Sequence, residues 1–247
     1  MPNPYLLLSP IGMFLVGLLA VVWWRVRTKA GWRCFAFGGL MWVVAVAPKF
    51  VMDYTVSPPI YAWLNLYGAA VLVAAAGLYV GLRTGFFESG FSYLAVSRTK
   101  FRNMKLHEAV AFGIGFGSME AIVLGLLGLI SISVLLVNPG LVELLPPAQQ
   151  AALDLPTIAA FAAILERAFT LAIHVFASLL VVYAVVKRNK RYLAYSILFK
   201  ALLDGLVPLI GYGFDLSAVE GIYMAEIPVM ILGLLALYGT RRLMRKF

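Results

Sequence analysis

A single cysteine, Cys34, is all the sequence contains, which excludes an intramolecular disulfide and any zinc or iron–sulfur site built from several thiolates. Cys34 itself reads as a small packing residue near a membrane edge. Charge is also scarce. Only 13% of residues are Asp, Glu, Lys or Arg, against 63% hydrophobic and a mean hydropathy of +0.94, more apolar surface than one soluble core of this length could bury. Tandem repeats, low-complexity tracts and a soluble domain are all missing. The expectation is a single integral membrane domain, residues 1–247, of the all-α class: a polytopic helix bundle.

Apolar runs near residues 5–26, 32–53, 59–82, 108–137, 157–186, 192–214 and 219–240 predict seven membrane spans. The stretch 85–96 is too short to cross a bilayer at about 1.5 Å per residue. It is predicted as a re-entrant or interfacial helix, or as an extension of the third span. The opening Met1-Pro2-Asn3-Pro4 has no basic region, and Trp23-Trp24-Arg25-Val26-Arg27 stands where a signal peptide would carry small residues, so the first span is expected to be retained.

A formal charge of +9 would suggest nucleic acid for a soluble protein; in a membrane protein it reports topology, and no nucleic-acid partner is expected. Arg25, Arg27, Lys29 and Arg33, then Arg83, Arg98, Lys100, Arg102 and Lys105, then Lys187, Arg188, Lys190 and Arg191, and finally Arg241, Arg242, Arg245 and Lys246 all fall on one predicted side. The opposite loops hold Asp53, Glu143, Asp154, Asp215 and Glu220 and no lysine or arginine. The positive-inside rule places the N-terminus outside and the C-terminus in the cytoplasm of a multi-pass cell-membrane protein. The loop 138–156 is the one long connection, and Pro147 has the look of a helix start.

Lys49, Arg167 and Lys200 remain at bilayer depth, where an ionisable group is costly unless paired or hydrated and is by default a candidate site. Lys49, near a span end, is expected to snorkel. Helix rise puts Glu120, His174 and Asp204 each about 18 Å from the basic side, with Lys200 one turn below Asp204. Four groups from three helices therefore converge on one layer. Glu166 and Arg167 are expected to meet Glu226 in a second layer, as a structural ion pair, and Arg167, His174 and Ser178 share one helix face. Gly113-Ile114-Gly115-Phe116-Gly117 lies inside an apolar span with no strand before it, so it reads as a close-packing helix face and not as a nucleotide loop.

Four motifs carry a family resemblance: Phe87-Glu88-Ser89-Gly90-Phe91-Ser92-Tyr93, Gly113-Ile114-Gly115-Phe116-Gly117-Ser118-Met119-Glu120, the set Glu166, Arg167, His174, and Lys200-Ala201-Leu202-Leu203-Asp204. From about residue 80 onward the chain resembles the YhfC-type intramembrane metalloproteases, relatives of the CAAX-protease-like and PrsW-like proteins and of the Aph subunit of gamma-secretase. The family pattern has a second glutamate and an arginine where Ser89 and Ser92 stand, and histidines where Phe116 and Lys200 stand. The resemblance implies that an active form would use Glu88 and Glu120 as catalytic carboxylates, and His174, Glu120 and Asp204 to hold zinc. With two histidines and a glutamate replaced, the leading expectation is a pseudoprotease or scaffold without a cofactor. It would bind membrane lipids and another membrane protein or membrane-embedded peptide. Lys200 is expected to act as an internal counter-ion, reaching Asp204 at i, i+4 and Glu120 across the bundle. The alternatives are an active zinc-dependent intramembrane protease and a small ion-coupled transporter, the latter disfavoured by the lack of an inverted repeat.

Overall fold

In lipid, every backbone polar group must find its partner within the chain, so long apolar runs become helices. The computed structural model describes residues 3–245, so Met1, Pro2, Lys246 and Phe247 lie outside the described residues. Seven long helices form: α1 (Leu8–Thr28), α2 (Trp32–Thr55), α3 (Ala69–Arg98), α4 (Leu106–Val137), α5 (Ala160–Val186), α6 (Arg191–Gly213) and α7 (Val219–Met244). Each is long and apolar enough to cross a membrane, and among the described residues there is no strand. The protein is a multi-pass, all-helical membrane protein.

The third span departs from the hydropathy reading. Pro58 and Pro59 open a separate short helix, Ser57–Asn65, and Gly68 adopts φ +91°, a left-handed conformation that breaks the chain before α3 begins. α3 then runs through residues 85–96, which are its second half and not a re-entrant or interfacial element. A π-helical turn, Gly85–Gly90, joins the two halves. Arg83 consequently lies within α3 and not at the basic end. It donates to Asp53 at 2.5 Å, so the charge pattern misplaced it by assuming that the span stopped at residue 82.

α4 and α5 form the centre. α1 and α2 pack on α4, α6 and α7 pack on α5, and α3 lies along α6 and reaches α2 through its π turn. Gly113 and Gly117 meet Val175, Leu171 and His174 of α5, confirming the close-packing face: a Cβ on Gly117 would stand 3.1 Å from the His174 Cβ. Glu108 caps the start of α4 by accepting the Lys105 N–H at 2.8 Å. α6 and α7 scarcely touch each other. Pro48, Pro208 and Pro228 lie inside α2, α6 and α7. Each removes a backbone donor within four residues of Lys49, Asp204 and Glu226 respectively, which interrupts the helical ladder beside the buried charges.

Candidate functional site

The buried charges form one chain of alternating sign drawn from five helices. It begins on α6, where Asp204 accepts a hydrogen bond from Thr84 of α3 at 2.5 Å and lies 3.9 Å from the Lys49 ammonium of α2. Lys49 donates to Glu88 Oε1 at 2.6 Å. Glu88 Oε2 pairs with Lys200, and Lys200 Nζ stands 2.9 Å from His174 Nδ1. His174 Nε2 lies 3.1 Å from Glu120 Oε2, although off the line that a good hydrogen bond needs. Glu120 accepts further bonds from Trp42 Nε1 at 2.9 Å and from Arg167 at 2.5 Å, and Arg167 closes the chain on Glu166.

Three expectations from the sequence are corrected by this geometry. Lys200 does not pair with Asp204 or Glu120. Its side chain, 3% exposed, turns to Glu88, because the π turn of α3 carries that carboxylate between Lys200 and Lys49. Lys49 does not snorkel; with Glu88 within reach, an ion pair is available at depth. Arg167 meets Glu120 and Glu166 but not Glu226, whose Oε2 is buried without a donor. The two predicted layers are therefore one network joined at Arg167. Ser178 is buried beside Gly113 in the α4–α5 contact.

Trp42 and Thr84 join the site without having been sequence candidates, and Lys49, expected only to snorkel, enters it as well. Trp42 and Lys49 are seven apart on one face of α2, and Thr84 is four before Glu88 on α3, so helical spacing held a signal for each. Ser89, at the second glutamate position of the motif, bonds Ser196 at 2.8 Å, and Ser196 donates to the Ala177 carbonyl at 2.9 Å. Ser89 is thus tied through Ser196 to the backbone of α5. Phe116 lies under the Lys200 ammonium, 3.8 Å from Nζ to the ring centroid. The two residues that stand for histidines in the motifs meet as a cation–π pair.

Comparison with known proteins is decisive on family. The family described as YhfC intramembrane metalloprotease matches residues 12–228. The chain belongs to this family. It is also 28% identical over 260 residues to "Uncharacterized membrane protein YhfC" of Bacillus subtilis (strain 168), covering 98% of this chain and 96% of that protein. No solved structure matches.

The family's name implies a metal, and the donors can be tested for one. Among the described residues no group of three or more His, Cys, Asp or Glu side chains is arranged to hold an ion. The chemistry of the site says why. An ammonium has no lone pair to offer, so His174 Nδ1 accepts from Lys200 and the ring proton sits on Nε2, facing Glu120. Nδ1 is thereby occupied, while Nε2 stands beside Glu120 without a hydrogen-bond partner. Both Glu88 oxygens receive ammonium donors, and Asp204 is held by Thr84 on the far side of Lys49. As placed in this structure, the described side chains form no metal-ligand set.

Two clefts reach this centre. One, of about 240 Å³, lies between α2, α3 and α4, with Lys49, Glu88, Glu120 and Asp204 in its lining. The other, of about 350 Å³, lies between α5, α6 and α7, with Glu226 and Arg167 among apolar side chains such as Ile210 and Val229. Glu120 and Asp204 border both.

Proposed function

We propose that this protein is a non-hydrolytic member of its family, a membrane pseudoprotease that holds a membrane-embedded segment of another protein in the two clefts around a charge-balanced centre. The observation that carries this reading is the Lys200 ammonium, bonded to Glu88 and His174 above the face of Phe116. A fixed cation occupies the place where the motif calls for a ligand. It gives Glu88 a second counter-charge beside Lys49, in a low-dielectric setting where surplus carboxylate charge costs several kcal/mol. Each Glu88 oxygen already accepts a hydrogen bond from an ammonium group, which opposes its taking a proton from water. The unpartnered Glu226 oxygen gives the α5–α7 cleft an acceptor for a donor on the bound segment.

Metal analysis of the purified protein is the direct test. The wild type should contain well under one equivalent of zinc, and the double substitution Phe116→His, Lys200→His should gain zinc affinity measurable by calorimetry. One equivalent of zinc in the wild type, with chelator-sensitive cleavage of a membrane peptide, would overturn the proposal. Family membership is what favours the second reading, an active zinc protease, and that same outcome would establish it.

A further inference from the structure

We infer that the end of the bundle remote from the two clefts carries a site for the phosphate of an anionic lipid headgroup, in the cleft where the α3–α4 connection meets the α5–α6 turn. This cleft measures about 670 Å³. Arg102 and Asn103 come to it from the turn Lys100–Asn103, Arg188 and Lys190 from the α5–α6 turn, and Tyr93 and Ser97 from the end of α3. The lining thus offers three cations and three neutral hydrogen-bonding side chains, and no carboxylate. Among the described residues none of the three cations makes an ion pair, whereas Lys49, Lys200 and Arg167 within the membrane are all paired. Arginine with a hydroxyl or amide beside it matches the oxygens of a phosphate ester.

The backbone supplies a second, independent sign. Arg188 has φ +52°. The Arg188 N–H bonds the Val185 carbonyl and the Asn189 N–H bonds the Ala184 carbonyl, the Schellman pattern in which the left-handed position is usually glycine. An arginine held there carries strain that a glycine would not, and no partner within the described chain accounts for keeping the guanidinium. A lipid fits better than a soluble anion because the cleft borders the bilayer face: Val186 lines it and is 39% exposed, and Leu94 on α3 is 43% exposed nearby. Basic clefts at the mouth of a helix bundle are suited to negatively charged headgroups.

The test uses the full-length protein in a non-ionic detergent, with thermal unfolding followed against short-chain phosphatidylglycerol, phosphatidylcholine of the same chain length, and inorganic phosphate. Phosphatidylglycerol should raise the melting temperature saturably, and the other two should not at the same concentration. Arg188→Gly should weaken phosphatidylglycerol binding about fivefold while leaving the lipid-free melting temperature unchanged or higher. Arg102→Gln, in an exposed turn, should weaken binding similarly. Equal stabilisation by phosphatidylcholine, or by inorganic phosphate, would overturn the assignment to an anionic lipid. So would wild-type affinity in both variants; if Arg188→Gly also melted lower without lipid, the arginine would be serving the helix end alone.

Discussion

Lys200 makes three contacts: an ion pair with Glu88, a hydrogen bond with His174 and the Phe116 ring face. Removing one member of a buried pair leaves the other uncompensated and typically costs about 3–5 kcal/mol. Lys200→Met leaves Glu88 its bond to Lys49, so it should lower stability by less, about 1–3 kcal/mol, in thermal or denaturant unfolding in detergent. Adding Glu88→Gln should recover part of the loss, a coupling of about 0.5–3 kcal/mol. Additivity of the two substitutions would show that they do not act as a pair. The convergence of His174, Glu120 and Lys200 was legible in their depths along three helices. The partner of Lys200 was not, because helical spacing names neighbours on the same helix, whereas Glu88 arrives from another element altogether. Arg167 repeats the lesson, as Glu226 looked reachable in sequence and Glu120 proved closer in space.

At the scale of elements, α3 lies against α6 through Gly77, Gly81 and Gly85, spaced four apart and facing Gly205, Ala201 and Ile197. A Cβ on Gly81 would overlap the Ala201 carbonyl oxygen, which is backbone and cannot swing away. Gly81→Leu should therefore force the helices apart and destabilise the protein by about 1–3 kcal/mol, and with them the contact of Thr84 with Asp204. Gly90, with φ −65° and nothing near its Cβ position, is the control: Gly90→Ala should be neutral or stabilise by up to about 1 kcal/mol. Unfolding midpoints of the two variants check both. The Gly77–Gly85 spacing was visible in the sequence and went unused. The true start of α3 was hidden for a physical reason, since hydropathy averages over Leu64, Leu66 and Val71 and does not register the positive φ at Gly68.

For the whole molecule, seven helices and the clustering of basic residues at one end were readable from composition and charge, because lipid imposes helices and their length directly. Which side faces the cytoplasm is a prediction of the positive-inside rule, to be checked by labelling. Cys34 is 5% exposed, so the native protein should give little background with a membrane-impermeant thiol reagent. In intact cells Gln149→Cys should then label readily and Asn103→Cys only after permeabilisation. The reverse pattern would invert the topology.

The π turn at Gly85–Gly90 carries one last implication. A π turn contains one residue more than the α-helical turn it replaces, and in an ordinary helix each residue advances the azimuth by about 100°. Deleting a single residue there would close the bulge into an ordinary α-helical turn, keeping the two halves of α3 in register but re-aiming the side chains within it. Thr84 and Glu88 could then no longer address Asp204 and the two lysines together. The lineage is thus expected to vary the letters of this segment far more freely than its length.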